Sequence, residues 1–470
     1  MKIVFIHYHL KTGGVTTVLK QQVEAIMDTC DVLVLAGTPP ASNFPCDIAV
    51  IPELYYDAPE RQHLQPEAVA ASIIEAIRKK WENGCDLVHV HNPTLNKNKH
   101  FIAILNSLKK RKNRLFLQIH DFAEDGRPLT YYSDDEYVAD SHYGVINSRD
   151  YHVLLRSGLK KEGLHHIPNT INPLPISVTG TPAKNCVLYP IRAIRRKNIG
   201  EAILLSMFFK HHETLAITLP PNSPADMESF EGWKAFTNDK RLNVLFDAGL
   251  KHDYPKLLGS SKFLVTTSIT EGFGFSFLEP WMARKMLLGR KLPGICDDFE
   301  QKGVKLDHLY THLAVPIEWL GKENVFHKWQ ACIKSAAHLF NIPIGRGTLE
   351  RAFDNTTENN CIDFGFLDEA FQKTIISQVL SHQKDRARLA HLNPNLLTLG
   401  DVPNQDALIQ NNRKAVLKYY NQSIYKNRLV DIYKKVVANS VFHSIDKHML
   451  LSQFFKPETM RMLNWSEYIE

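Results

Sequence analysis

Runs of five or six mostly apolar residues recur along the chain, and between them apolar residues return at every third or fourth position. Ile3–Tyr8, Asp31–Ala36, Asp86–His91 and Leu115–His120 are of the first kind, and such continuous runs suit strands buried on both faces. Val15, Val18, Leu19, Val23, Ile26 and Met27 fall on one helical face, and Pro66–Trp81 and Phe101–Lys110 predict two more helices. Gly144–Ser148 predicts a further short strand and Asp150–Leu159 a helix. Strands alternating with helices give a parallel sheet. The alternation restarts at Val187–Pro190, with a helix over Ile199–Phe209 and strands over Leu215–Leu219, Leu242–Phe246 and Phe263–Ser268. A helix is then expected over Leu278–Leu288, with late strands at Leu287–Arg290 and Leu313–Pro316. Pro168–Pro182, rich in proline and small polar residues, separates the two series as a linker. From Glu318 to about Ala407 the pattern is mostly helical, and Asn411–Val437 reads as a long amphipathic helix or helix pair. The expected organisation is an α/β domain over 1–172, a second over 173–410 with a helical insertion from about 318, and C-terminal helices over 411–470.

Composition narrows the function classes. At 470 residues the chain is too long for one small core, and 44% hydrophobic with 23% charged residues is ordinary for a soluble protein. A net charge of +6 fits an anionic small-molecule substrate and falls short of a nucleic-acid binder. The basic run Lys109–Arg114 reads as a solvated helix end and loop, with peripheral membrane contact at the inner surface as the minority alternative. Seven cysteines are scattered, odd in number and never in a Cys-x-x-Cys pair, which argues against disulfides or zinc and for the reducing cytoplasm. The N-terminal apolar run is too short for a signal peptide, and no stretch of about 18 apolar residues suggests a membrane span.

Three places carry candidate chemistry. Gly13-Gly14 follows the first strand and opens a helix, where ligands sit in doubly wound domains, though it fits neither a Walker loop nor Gly-x-Gly-x-x-Gly. Arg192, Arg195, Arg196 and Lys197 lie between a strand end and a helix start, an arrangement that predicts an anion pocket. Glu271-Gly272-Phe273-Gly274, continuing to Glu279, is a strand-to-helix turn with a carboxylate at each end. Glycines let backbone approach a ligand, the helix start suits a phosphate, and the carboxylates suit hydroxyls, which together suggest a sugar nucleotide. His120-Asp121 closes an apolar strand and is expected in the crevice, whereas His89 reads as a buried structural histidine. Ligand spacing for a metal is missing around these histidines.

In order, Gly13-Gly14-Val15, Asp86–His91, His120-Asp121, Ser148, Ile167–Asn172, Arg192-x4-Lys197, Glu271-x7-Glu279 and the helix Tyr420–Val437 resemble the retaining GT-B-fold glycosyltransferases of family 4. The likeness covers roughly residues 1–290 and 411–437. It implies two Rossmann-like domains facing across a cleft, with a helical C-terminal extension, and transfer of a hexose from a nucleotide-diphosphate sugar to an acceptor hydroxyl with retention. By that resemblance Arg192 and Lys197 bind the diphosphate and stabilise its developing charge. Gly272, Phe273 and Gly274 offer N–H groups to the donor sugar, Glu271 holds its hydroxyls, and Glu279 holds the ribose. Gly13 and Gly14 border phosphates and acceptor, and His120 lies beside the donor sugar. No metal and no cofactor beyond the donor substrate is implied.

Four departures stand out. Arg284 replaces a helix-ending glycine, which predicts a reshaped helix end. Leu219-Pro220-Pro221-Asn222 stands where the family has a glycine loop, Asn169-Thr170 replaces Asn-Gly, and residues 318–407 have no counterpart. The alternative readings are a sugar-nucleotide-binding protein without catalysis and a GT-B-fold sugar-nucleotide epimerase. Intact Arg192, Lys197, Glu271 and Glu279 favour the transferase over both.

Overall fold

The computed structural model describes residues 1–40, 43–57, 65–173, 185–345 and 347–468, so residues 174–182 of the expected linker lie outside the described residues. The chain divides into two compact units, Met1–Asn172 with Tyr419–Phe455, and Pro173–Lys418 with Lys456–Glu470. The C-terminal stretch expected from 411 onward is thus shared, its last residues belonging to the second unit.

In the first unit, strands β1 (Lys2–His7), β2 (Asp31–Ala36), β3 (Asp47–Val50), β4 (Leu87–His91), β5 (Leu115–Ile119), β6 (His142–Val145) and β7 (Leu164–His166) form a parallel sheet in the order β3-β2-β1-β4-β5-β6-β7. The alternation along β1 sorts two cores. Val4 and Ile6 pack with Val88, Val90 and Leu117 against α2 (Pro66–Lys80) and α3 (Phe101–Lys110). Ile3 and Phe5 pack on the other face against α1 (Gly14–Ile26) and the helix Gln422–Ala438. β3 and β7 are sheet-edge strands beyond the expected set, and β6 begins two residues before the expected Gly144. Helix α4 (Ser148–Arg156) is capped by Asn147, whose side chain accepts from the Asp150 N–H.

The second unit holds β8 (Cys186–Arg192), β9 (Thr214–Leu219), β10 (Val244–Leu245), β11 (Phe263–Thr266) and β12 (Leu287–Gly289), parallel in the order β10-β9-β8-β11-β12. Helix α5 (Ile199–Ser206) follows β8, and α6 (Pro224–Asp239) follows β9. Pro190 falls where the β8–β9 register shifts, a place that tolerates its missing N–H. The expected helix over Leu278–Leu288 is reduced to a 3-10 turn, Phe275–Phe277, and a four-residue helix, Glu279–Met282. Pairing with β11 takes Leu287 and Leu288 into the sheet, and that gain overrides their helical spacing. Ala314–Pro316 is a strand, but of a separate antiparallel sheet, where β13 (Ala314–Pro316) pairs with β15 (Cys361–Asp363) and β14 (Thr357–Glu358) with β15. Asn411–Val437 resolves into two helices, Gln405–Tyr419 and Gln422–Ala438, because the Asn421 side chain caps a fresh start at Gln422 by accepting from the Ile424 N–H.

Candidate functional site

Both parallel sheets reverse strand order at one point, between β1 and β4 in the first unit and between β8 and β11 in the second. Crevices for ligands open at the carboxyl ends of strands on either side of such a reversal. The candidate residues cluster at these two places.

In the second unit, Arg192 ends β8, and the loop after it turns through a 3-10 segment, Arg195–Lys197. Asn198 closes that turn in the left-handed region at φ 51°, uncommon for a non-glycine residue, and hands the chain to α5. The turn is fastened to the end of β11: Tyr189 Oη donates to the Lys197 carbonyl at 2.6 Å, and Thr267 Oγ1 to the Asn198 carbonyl at 2.9 Å. The Ile269 N–H donates to the Arg196 carbonyl at 2.9 Å. So placed, Lys197 Nζ donates to the Glu271 carboxylate. Burial raises the affinity of Glu271 for a proton, but the charges of Lys197 and Arg196 outweigh it and hold the carboxyl below its ordinary value. Arg192 Nη1 donates to the Pro220 carbonyl at 2.8 Å and to Asn222 Oδ1 at 2.5 Å. The loop that departs from the family pattern therefore aims the guanidinium.

Gly274 requires its glycine: φ is 89°, and a Cβ there would come 2.8 Å from the Phe277 ring. Phe273 is buried against Phe275 and Phe299, which fixes the turn from below. Glu279 is the first residue of its four-residue helix, not a turn into a long one, so the turn lacks the extended helix dipole expected to favour an anion. The positive charge at this end of the sheet is that of Arg192, Arg196 and Lys197. Burial pushes the Glu279 carboxyl up to about 7, with Lys197 pulling the other way. Arg284 has φ 53°, so the glycine-like backbone of that helix end is kept by a residue with a side chain.

Behind the loop lies a buried network whose function was hidden in the sequence. Arg290, fully buried, forks onto Glu201 at 2.7 and 2.8 Å and onto Asp363 at 2.7 and 2.8 Å. Glu201 in turn accepts from Asn198 Nδ2 at 2.7 Å and from Tyr310 Oη at 2.7 Å. The charge network thus ends on the left-handed residue beside Lys197. No local spacing hints at it, since Glu201, Arg290 and Asp363 come from α5, the residue after β12, and β15.

In the first unit, His120 is buried, and its Nε2 shares a hydrogen bond of 2.8 Å with His91 Nδ1. The two rings stack with centroids 5.1 Å apart, and His7 stands edge-on to His91. Burial depresses His120 to about 4 and His7, aided by its histidine neighbours, to about 3, so the cluster is uncharged at neutral pH. The Asn92 side chain accepts from the His120 N–H at 2.7 Å, and Asp121 pairs with Arg127 at 2.8 Å. His89 is held by Tyr433 at 2.8 Å and Gln118 at 2.9 Å inside the sheet's packed face. Gly13 has extended backbone, and Cβ atoms at Gly13 and Gly14 would meet almost nothing, so packing does not demand either glycine. Among the described residues no group of three or more His, Cys, Asp or Glu side chains has the geometry to hold a metal, and no helix is long and apolar enough to cross a membrane.

No protein-family profile matches the chain. It is 27% identical over 414 residues to mannosylglucosyl-3-phosphoglycerate synthase of Petrotoga mobilis, spanning 78% of this chain and 79% of that protein. Among solved structures it is similar to sucrose-phosphate synthase of Thermosynechococcus elongatus, with TM-score 0.54 and 14% identity over 93% of this chain and 99% of that one. The chain has the GT-B glycosyltransferase fold. HepE of Anabaena, solved in complex with UDP-glucose, is similar at TM-score 0.53 and 12% identity, covering 92% of this chain and 99% of that one. Arg192, Lys197, Glu271 and Glu279 lie in one unit of this GT-B chain and Gly13, Gly14 and His120 in the other.

Proposed function

We propose that the chain is a retaining, metal-independent glycosyltransferase that moves a hexose from a nucleoside-diphosphate sugar to an acceptor hydroxyl. The observation that carries this reading is the ion pair of Lys197 with Glu271, which joins the cation loop after β8, begun by Arg192, to the turn after β11 at the switch point of the second sheet. A diphosphate entering this corner meets Arg192 and competes with Glu271 for Lys197. Once Lys197 turns to phosphate, Glu271 is an unpaired buried carboxylate that hydroxyls of the donor sugar satisfy. Donor binding exchanges the Lys197–Glu271 ion pair for one between Lys197 and phosphate, with hydroxyl hydrogen bonds taking the place of Lys197 at Glu271. As the bond from the anomeric carbon to the diphosphate breaks, Arg192 and Lys197 stabilise the charge on the leaving oxygens. The acceptor oxygen bonds to the anomeric carbon on the same face, and its proton passes to the departing phosphate. Glu279 accepts from the ribose hydroxyls.

The Petrotoga mobilis relative is named for a glycosylated phosphoglycerate. A glucosylated phosphoglycerate therefore heads the acceptor panel, against UDP-, GDP- and ADP-hexoses as donors. Transfer with retained anomeric configuration, read by NMR of the product, supports the proposal. Arg192→Ala and Lys197→Ala are expected to cut turnover at least about a hundredfold, by the usual worth of such charge stabilisation. Wild-type transfer by both variants would remove the phosphate site from this loop.

A further inference from the structure

The three consecutive cations Arg195, Arg196 and Lys197 invite the view that all face the diphosphate. Their partners differ. Lys197 turns to Glu271, whereas Arg195 Nη1 donates to Glu467 Oε2 at 2.9 Å. The Arg195 backbone N–H is also taken, by Asp226 Oδ1 at 3.0 Å. Glu467 belongs to the C-terminal segment from Lys456, which rejoins the second unit and brings the short helix Met462–Trp465 against the turn Arg195–Lys197.

That segment is built to stay in place. Met462, Leu463 and Trp465 are buried, and Trp465 meets Phe340 edge-on. Trp329 Nε1 donates to the Met460 carbonyl at 3.2 Å, and Ser335 Oγ donates to the Tyr468 carbonyl, both from the helix Lys322–Leu339. Arg461 lies 3.5 Å from Asp363, the carboxylate that also holds Arg290. The segment therefore grips the loop twice, at Arg195 directly and at Asn198 through Asp363, Arg290 and Glu201.

We infer that the C-terminal segment is a clasp that sets the phosphate loop, with Arg195 and Glu467 as positioning residues for the nucleoside diphosphate. Glu467 neutralises Arg195 and fixes the turn so that Arg192 and Lys197 stand in register with the two phosphates. The inference rests on the phosphate-site reading above. It differs from it in assigning Arg195 to the loop's fastening and not to the ligand.

The test is a double-mutant cycle on the full chain, with Arg195→Gln, Glu467→Gln, the pair together and the charge swap Arg195→Glu with Glu467→Arg. The dissociation constants of UDP, GDP and ADP are measured by calorimetry, with melting temperature alongside. Each single variant is expected to weaken the nucleotide that wild type binds by roughly five- to twentyfold, and the double no more than the worse single. The swap should recover most of the loss, while melting moves little because the pair is partly solvated. Singles at wild-type affinity, or additive losses, would overturn the clasp and leave the phosphate site standing. Loss in Arg195→Gln with none in Glu467→Gln would make Arg195 a phosphate ligand and equally overturn it. Wild type binding none of the three nucleotides would bring down both the phosphate-site reading and the clasp.

Discussion

Replacing Glu279 with glutamine is expected to stabilise the protein above neutral pH while weakening its hold on a nucleotide. In the folded chain burial moves this carboxyl from an ordinary 4.5 to about 7, against the pull of Lys197. A carboxyl with a raised folded pKa keeps its proton longer in the native state than in the unfolded one. Its effect on stability is therefore nil below pH 4.5, grows as a penalty between 4.5 and about 7, and stays constant above that. The full interval corresponds to about 3 kcal/mol. Glu279 is only half-buried, and solvent screening reduces this to roughly 1–2 kcal/mol. Glutamine keeps the shape and drops the charge. Urea unfolding at pH 4, 6 and 8 should show the variant equal to wild type at pH 4 and ahead by roughly 1–2 kcal/mol at pH 8, with unchanged m. Parallel curves at all three pH values would refute the burial argument. Unchanged nucleotide affinity in the same variant would remove Glu279 from the ribose.

Arg290→Ala strands Glu201 and Asp363 as buried carboxylates, so chemical unfolding should show a loss of roughly 3–5 kcal/mol. Arg290→Lys should recover little of it, because one ammonium cannot fork onto two carboxylates. Arg284→Gly removes a side chain from a residue at φ 53° and is expected to raise stability by about 1 kcal/mol in the same assay. Gly274→Ala meets both an unfavourable φ of 89° and the Phe277 ring, and should cost roughly 1–3 kcal/mol with a parallel fall in donor affinity by calorimetry.

The fold was legible where strands are buried on both faces. Ile3–Tyr8 and Asp31–Ala36 are nearly all apolar, and both settle into the sheet at those positions. Asp47–Val50 and Leu164–His166 gave no such signal, since edge strands are short and tolerate polar residues. Leu278–Leu288 was misleading, because a three-residue parallel pairing with β11 decides its second half, and no local pattern encodes a partner some twenty residues back. At the site, strand-end cations and a glycine turn mark the loop itself. What aims them stayed hidden: Pro220 and Asn222 on Arg192, His91 beneath His120, and Arg290 behind Asn198 are all contacts between distant positions.

The chain's route through its two units has a cost during synthesis. Tyr425, Leu429, Ile432, Tyr433 and Val436 cover the sheet face that carries Ile3, Phe5, Leu87 and Phe116. They are translated only after the intervening second-unit segment, residues 173–418. At a ribosomal rate of 5–20 residues per second, that sheet face waits roughly 10–50 s for its cover. A nascent chain that has emerged from the ribosome as far as residue 418 is therefore expected to bind a hydrophobic dye or a chaperone, and one that has emerged beyond Phe455 to lose that affinity. Equal binding by the two would mean that another segment covers the face in the meantime.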